Sequence, residues 1–198
     1  AGTVADEGGP DRQRPPAPRG PLQLLYKLSA DPSAWICVLR DPGRRCFAYH
    51  HPGGAHKVVD TGEAYAAFRA TAPWETLTGK AGRVIRSTCW YTREGCACTY
   101  AYGRTRVRPA NAGGFSPALA DLTERVFGGF FPTWPEDAWP NSANLNLYED
   151  ARQAVGWHAD DESLFRGRDS DCPIVSLSLG ATREFRLAYK KVATAATP

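Results

Sequence analysis

The stretch NLYEDARQAVGWHADDE, residues 146–162, decides how this chain is read. It opens on alternating polar and apolar residues. It closes on a histidine two residues before an aspartate, followed by another aspartate and a glutamate. Strand geometry puts residues i and i+2 on one face. Read as a strand, SANLNLYED (142–150) lines one face with Asn144, Asn146 and Tyr148 and the other with Ala143, Leu145 and Leu147. Such a strand suits the inside of a pocket, or a sheet whose polar side meets water; the pattern alone leaves both open. If 157–160 is extended, His158 and Asp160 also share a face and their side chains converge. A neutral imidazole and a carboxylate so placed are two parts of the 2-His-1-carboxylate triad that holds non-haem Fe(II). The triplet H-x-D also arises by chance, and a solvated acidic loop is the competing reading.

The 198 residues suffice for one domain with a buried core. With 42% hydrophobic and 23% charged residues, most of the chain reads as globular, and a net charge of +3 says little about partners. No run approaches the about 18 apolar residues of a membrane span, and no secretory leader is visible. Residues 1–21, AGTVADEGGPDRQRPPAPRGP, have almost nothing to bury and are expected to form a disordered tail. The six cysteines (37, 46, 89, 96, 98 and 172) are too irregular for a disulfide framework. Cys96-Ala97-Cys98 is C-x-C, not the C-x-x-C of zinc and redox sites. Reduced thiols in an intracellular protein, of nucleus or cytoplasm, are the expectation. The chain has no methionine and opens with Ala1, so it reads as processed, trimmed or a fragment.

WICVLR (35–40) and RCFAYHH (45–51) read as strands joined by a turn at Asp41-Pro42-Gly43. TGEAYAAFRATAPW (61–74) reads as a helix that Pro73 helps to stop. GRVIRSTCWYT (82–92) is β-rich, and CTYAYGRTRVRP (98–109) reads as one further alternating strand. SPALADLTERVFGGFF (116–131) reads as a helix capped by Ser116, begun by Pro117 and ended by Gly128-Gly129. CPIVSLSLG (172–180) and REFRLAYKK (183–191) read as two strands joined by a tight turn. Strands dominate the second half, so the class reads as an all-β or α+β sheet sandwich, and α+β is the class the helices favour.

The run NLYEDARQAVGWHADDE followed by CPIVSLSLGATREF (172–185) resembles the AlkB family of Fe(II)/2-oxoglutarate dioxygenases, most of all its eukaryotic nucleic-acid demethylases. The likeness extends upstream through TCWYTREGCACTYAYG (88–103) and covers residues 65–191. It implies a double-stranded β-helix, or jelly-roll, with N-terminal helices and strands, over residues 22–191, and a tail at 192–198. On this resemblance His158 and Asp160 match the first two iron ligands, and Asn146 and Tyr148 the pair that hydrogen-bonds 2-oxoglutarate. Asp161 matches an acid facing the target base and Tyr102 an aromatic residue stacking on it, with Trp90 and Tyr91 as the neighbouring wall. Arg183 is given no catalytic role. The implied activity is oxidative dealkylation of alkylated DNA or RNA by a monomer. With Fe(II) as the catalyst, 2-oxoglutarate and O2 are consumed, giving succinate and CO2, as an N-methyl group is hydroxylated and leaves as formaldehyde.

The substrate class has independent physical support. Residues 83–108 carry six arginines against one acid, Glu94, a net +5. They also carry Trp90, Tyr91, Tyr100 and Tyr102. Basic groups bind phosphates and aromatic faces stack on exposed bases. Arg104, Arg106 and Arg108 on one strand face would make a phosphate track; a solvated arginine-rich edge strand is the alternative.

The resemblance also implies what this sequence lacks. The family takes its second histidine, and the arginines that bind 2-oxoglutarate, from far downstream. Only 38 residues follow Asp160 and none is a histidine, so the C-terminal part of the sheet is expected to be missing. His50, His51 and His56 sit in a Pro/Gly-rich turn and are expected to be solvated rather than ligating. Three readings follow. One is a demethylase whose site is completed by further strands. Another is a catalytically inactive nucleic-acid-binding relative. The third, a hydroxylase of protein or small molecules, is disfavoured by the arginine–aromatic segment. A zinc deaminase is excluded, because H-x-E and P-C-x-x-C are both absent.

Overall fold

The structure is a computed structural model that describes residues 29–44, 46–78, 84–102, 105–111, 113–160, 162–166 and 172–189. The expected tails at 1–21 and 192–198 lie outside these residues, as do Arg104 and Asp161. The centre of the fold is a three-stranded antiparallel sheet. Strands β1 (Ile36–Asp41) and β2 (Cys46–His50) first form a separate hairpin around Asp41-Pro42-Gly43, as the turn signal predicts. Helix α1 (Thr61–Thr71) leads into β3 (Glu75–Thr78), which pairs with the long β4 (Val84–Thr92). A short hairpin of β5 (Tyr100–Tyr102) and β6 (Thr105–Val107) precedes helix α2 (Pro117–Phe130). Strand β7 (Ser142–Leu147) then returns to the sheet in the order β3-β4-β7.

Local chemistry explains the helix ends. The Asp60 carboxylate accepts from the backbone N–H of Gly62 (3.0 Å) and Glu63 (2.9 Å), satisfying donors that the first turn of α1 leaves open. The Ser116 hydroxyl accepts from Leu119 N at 3.3 Å and Pro117 opens α2. The two glycines do not end α2 as expected; it runs through them to Phe130. Gly129 is placed where a Cβ would collide with the Val58 side chain, whereas Gly128 faces open space. The second glycine therefore serves close packing rather than termination.

Both helices lie on one face of the sheet. Phe68 and Ala72 of α1, Leu119 of α2, and Cys89 and Tyr91 of β4 form a buried cluster, with Ala143 and Leu145 of β7 packed against it. A second cluster joins Val59, Val126, Phe127 and Phe131 with Trp35, Trp134 and Trp139. His51 belongs to this aromatic group, its ring meeting those of Trp35 and Phe130 edge-on at 5.1 Å each, so it is packed rather than solvated. A third cluster of Trp90, Tyr100 and Val107, joined by Phe165, is separate from these two.

Three further expectations are corrected. Residues 98–109 are not one strand: β5 and β6 pair antiparallel, Tyr100 opposite Val107 and Tyr102 opposite Thr105, so the chain reverses between them. Residues 172–189 form no strand among the described residues. Alternation fixes which side chains face inward, but a strand also needs a partner's backbone. The inward half of the pattern survives: Val175 and Leu177 pack on the second cluster and Leu179 on the first. Ile174, Phe185 and Tyr189 stay exposed. Cys96 and Cys98 are joined as a disulfide, not free as expected. No helix of the described residues is long and apolar enough to cross a membrane.

The helix-interior glycines give a paired test. Gly128→Ala should stabilise the fold by about 0.5–1 kcal/mol through reduced backbone entropy. Gly129→Ala should cost about 1–3 kcal/mol through overpacking against Val58. Urea unfolding of both variants checks the opposite signs.

Candidate functional site

The site grows out of the β4–β7 pairing. Six consecutive pairs run from Ser87↔Leu147 to Thr92↔Ser142, and directly opposed residues share a face. Cys89 and Tyr91 therefore join Ala143 and Leu145 against the helices, while Thr88 and Trp90 join Asn146 and Asn144 on the far face. The buried Thr88 hydroxyl lies 2.9 Å from Asn144 Oδ1, 3.0 Å from the Leu145 carbonyl and 3.4 Å from Asn146 Oδ1. The hydroxyl has one proton to donate, and its nearest acceptor, Asn144 Oδ1, ties the polar strand face to β4.

This register corrects the place of Tyr91. It sits in the helix-side core with 1% exposure, not in a wall shared with Trp90. The reason is strand alternation itself: neighbours in sequence point to opposite faces. A cleft of about 440 Å³ opens beside Tyr91, Ser116 and Asn111 on that side, and none of the other candidate site residues lines it.

Trp90 and Tyr100 are also buried, at 2% and 9% exposure, and stack on each other with ring centroids 5.0 Å apart. The Trp90 indole N–H donates to the Cys98 carbonyl at 2.8 Å, and Phe165 closes on both rings. Their faces are consumed by packing, so they do not offer open stacking platforms. Arg106 and Arg108 are exposed, Arg106 lying in β6 opposite Ala101 and Arg108 following the strand. The expected phosphate track of Arg104, Arg106 and Arg108 rests in part on Arg104, which lies outside the described residues; β6 ends at Val107, before Arg108. Tyr102 ends β5 with its backbone paired to Thr105.

His158 and Asp160 come together without being in a strand; a bend does the work of the expected extended segment. The Gly156 carbonyl, which can only accept, lies 2.8 Å from His158 Nδ1, so the proton belongs on Nδ1. That leaves Nε2 as the basic nitrogen of the neutral ring, 3.4 Å from Asp160 Oδ1. The separation is long for a hydrogen bond but suits two donors meeting on one cation. The carbonyl bond on the other nitrogen is the support that orients a ligating imidazole. The pair therefore fits two positions of an Fe(II) ligand set. Among the described residues no group of three or more His, Cys, Asp or Glu is close enough to hold a metal.

The loop that follows is fastened to the hairpin. The Tyr100 hydroxyl donates to Glu162 Oε1 at 3.0 Å. Burial, together with the Glu162 and Asp160 carboxylates, pushes the Tyr100 phenol far above its ordinary range, and the Arg86 guanidinium opposes this. Burial first, then the same two carboxylates, also raises the Cys172 thiol. These shifts place Asp160, Glu162, Tyr100, Arg86 and Cys172 in one electrostatic neighbourhood. Arg86 and Thr88 are site-face residues that the sequence reading passed over; alternation through IRSTCWYT (85–92) puts both on the face of Trp90. Tyr148, just beyond β7, meets Arg183, whose guanidinium carbon lies 4.7 Å from the ring centroid.

Residues 58–197 match the family model of the 2OG-Fe(II) oxygenase superfamily. The chain belongs to that superfamily, on its AlkB-like branch. Human alpha-ketoglutarate-dependent dioxygenase alkB homolog 3 is 34% identical over 123 residues, which are 60% of this chain and 37% of the human one. The Bos taurus protein of the same name is 30% identical over 187 residues, 90% of this chain and 55% of that one. The Arabidopsis thaliana DNA oxidative demethylase ALKBH2 is 31% identical over 109 residues, 46% of this chain and 33% of that one. The matched regions thus span between a third and just over half of these relatives' lengths. The branch is one of enzymes.

In this AlkB-like chain Glu162 Oε2 is buried with no hydrogen-bond partner among the described residues, which makes the Tyr100 bond to Oε1 costly to lose. Tyr100→Phe should lower stability by about 1–3 kcal/mol at pH 8. Unfolded, Tyr100 ionises near about 10; folded, it keeps its proton to higher pH. Its stabilising contribution is therefore complete below about pH 10 and is lost as pH rises further. Urea unfolding at pH 8 and at about pH 10.5 should show the gap between wild type and Tyr100→Phe narrowing at the higher pH.

Proposed function

We propose that this chain acts as a dioxygenase that uses Fe(II) and 2-oxoglutarate to remove alkyl groups oxidatively from bases of DNA or RNA. The observation that carries the reading is the convergence of His158 Nε2 and Asp160 Oδ1 at 3.4 Å in a chain of this superfamily. The names of the relatives, which include a DNA oxidative demethylase, support the substrate class.

His158 and Asp160 would hold the iron. Bound there with 2-oxoglutarate and O2, it supplies the oxidising chemistry that converts an N-alkyl carbon to a hydroxylated one. The chain's own residues do the rest. Asn146 and Tyr148, on or just past the polar edge of β7, present side-chain donors to the cosubstrate. The Gly156 carbonyl holds the proton on His158 Nδ1 and keeps Nε2 available as a donor. The packed Trp90, Tyr100 and Phe165 rings form a wall that excludes water, and the Tyr100–Glu162 hydrogen bond holds the ligand loop against it. On the family resemblance Asp161 and Tyr102 are the residues assigned to contact with the target base. The exposed Arg106 and Arg108, together with Arg104 of the same basic segment, contribute positive charge to phosphate contacts. A base within a duplex must leave its stack to reach such a wall-lined site; a single-stranded one costs less.

The test is incubation of the chain with Fe(II), 2-oxoglutarate and N-methylated oligonucleotides, single- and double-stranded, with succinate and the oligonucleotide mass followed together. The expected result is loss of the methyl group matched by succinate, abolished in His158→Ala. A folded, iron-loaded sample that binds the oligonucleotide but yields neither product would contradict the reading and favour a binding module without turnover.

A further inference from the structure

We propose that Arg183 is a positioning residue for the cosubstrate, one that fixes Tyr148 and the loop carrying the chain from Tyr148 toward His158. This inference rests on the dioxygenase reading above and assigns a role to a residue that the family resemblance left without one.

One planar group makes three contacts, all to a single loop. Arg183 stacks over the Tyr148 ring at 4.7 Å, its Nη2 donates to the Gln153 carbonyl at 2.6 Å, and its Nη1 donates to the Asp150 carbonyl at 3.1 Å. A guanidinium can use its face and its edge at once, which an ammonium cannot. The two carbonyls are three residues apart and reach the same fork because the loop is folded on itself. Gln153 N donates to the Asp150 carbonyl at 3.3 Å, and the buried Gln153 side chain accepts from Glu149 N at 2.7 Å.

The opposite side of the loop is anchored too. Arg69 of α1 pairs with Glu149 at 2.8 Å and also donates to the Tyr65 hydroxyl at 3.3 Å. Tyr65 packs over Gly180, which has φ +80° and where a Cβ would stand 3.3 Å from the ring. Helix α1 therefore sets both the loop and the turn from which Arg183 extends. The Arg69–Glu149 pair is exposed and solvent-screened, so it contributes little energy by itself. Arg183 carries the directional contacts. Its charge stands beside the Tyr148 ring, and among the described residues it meets no carboxylate.

The consequence is specific. Holding the ring and both carbonyls removes rotamer and loop freedom that 2-oxoglutarate binding would otherwise have to freeze. Removing Arg183 should weaken the cosubstrate, not the metal, and only through Tyr148. Arg183→Lys keeps the charge but loses the fork and the stacking plane, so it separates geometry from charge.

The experiment is calorimetric titration of 2-oxoglutarate into protein loaded with Mn(II), for wild type, Arg183→Ala, Arg183→Lys, Tyr148→Phe and the Arg183→Ala/Tyr148→Phe double variant. Folding of each is checked by circular dichroism, and Arg183→Lys carries the test if the alanine variant does not fold. Both Arg183 substitutions should weaken 2-oxoglutarate about five- to tenfold, with Mn(II) affinity unchanged. In the Tyr148→Phe background the further loss should fall below about twofold, the non-additivity of residues that act through each other. In turnover the same variants should raise KM for 2-oxoglutarate more than they lower kcat. Equal 2-oxoglutarate affinity in folded Arg183→Ala overturns the proposal, and so does a fully additive double variant. Failure of wild type to bind 2-oxoglutarate removes the dioxygenase reading and this inference with it, an outcome distinguishable from an effect confined to Arg183.

Discussion

The β4–β7 ladder is the constraint from which the remainder of the structure follows. Its six pairs sort every side chain of two strands onto one of two faces, and a slip of one residue would exchange them. On one face Cys89, Tyr91, Ala143 and Leu145 meet α1 and α2, and apolar burial locks the register. On the other the same register lines up Thr88, Trp90, Asn144 and Asn146, where the buried Thr88 hydroxyl and the packed Trp90 ring sit beside the two asparagines. The polar face is thus positioned by packing on the opposite side of the sheet.

Around that face the chain uses three fasteners of different kinds. An aromatic stack joins Trp90 to Tyr100 and Phe165. A phenol-to-carboxylate hydrogen bond holds Glu162, two residues past Asp160, against the β5–β6 hairpin. A guanidinium fork holds the loop after β7. Between the last two lies the His158–Asp160 pair, with one imidazole nitrogen committed to a backbone carbonyl and the other turned to a carboxylate. Buried carboxylate and phenol share a low-dielectric setting there, which is why the Tyr100 proton is held so firmly.

Much of this was legible in the sequence wherever the controlling interaction is local. The caps at Asp60 and Ser116, the Asp41-Pro42-Gly43 turn and the alternation of 142–147 each act within a few residues. The H-x-D convergence was legible too, although a bend rather than a strand produces it. What failed depended on partners distant in sequence. CTYAYGRTRVRP reads as one alternating strand until its own second half becomes its partner, and the glycine at 103 was the available warning. Residues 172–189 carry strand patterning with no ladder to join among the described residues. Gly129 read as a stop because Val58, which explains it, is 71 positions away. The resemblance places Trp90 and Tyr91 on one wall, while the period of two in any strand separates them. Arg183 had no sequence signal at all: its three contacts lie 30 to 35 residues upstream.

The central claim is that a divalent cation binds on one face of the β4–β7 pair, at His158 and Asp160. Paramagnetic broadening of backbone amide resonances on titration with Mn(II) tests it most directly. The account predicts broadening centred on His158, Asp160 and Glu162 and reaching Tyr100, Arg86 and Asn146, while Leu119, Val126 and Phe127 in the helix-side core stay sharp. His158→Ala should remove the effect. Broadening that centres on the helix side, or that survives His158→Ala unchanged, would contradict it.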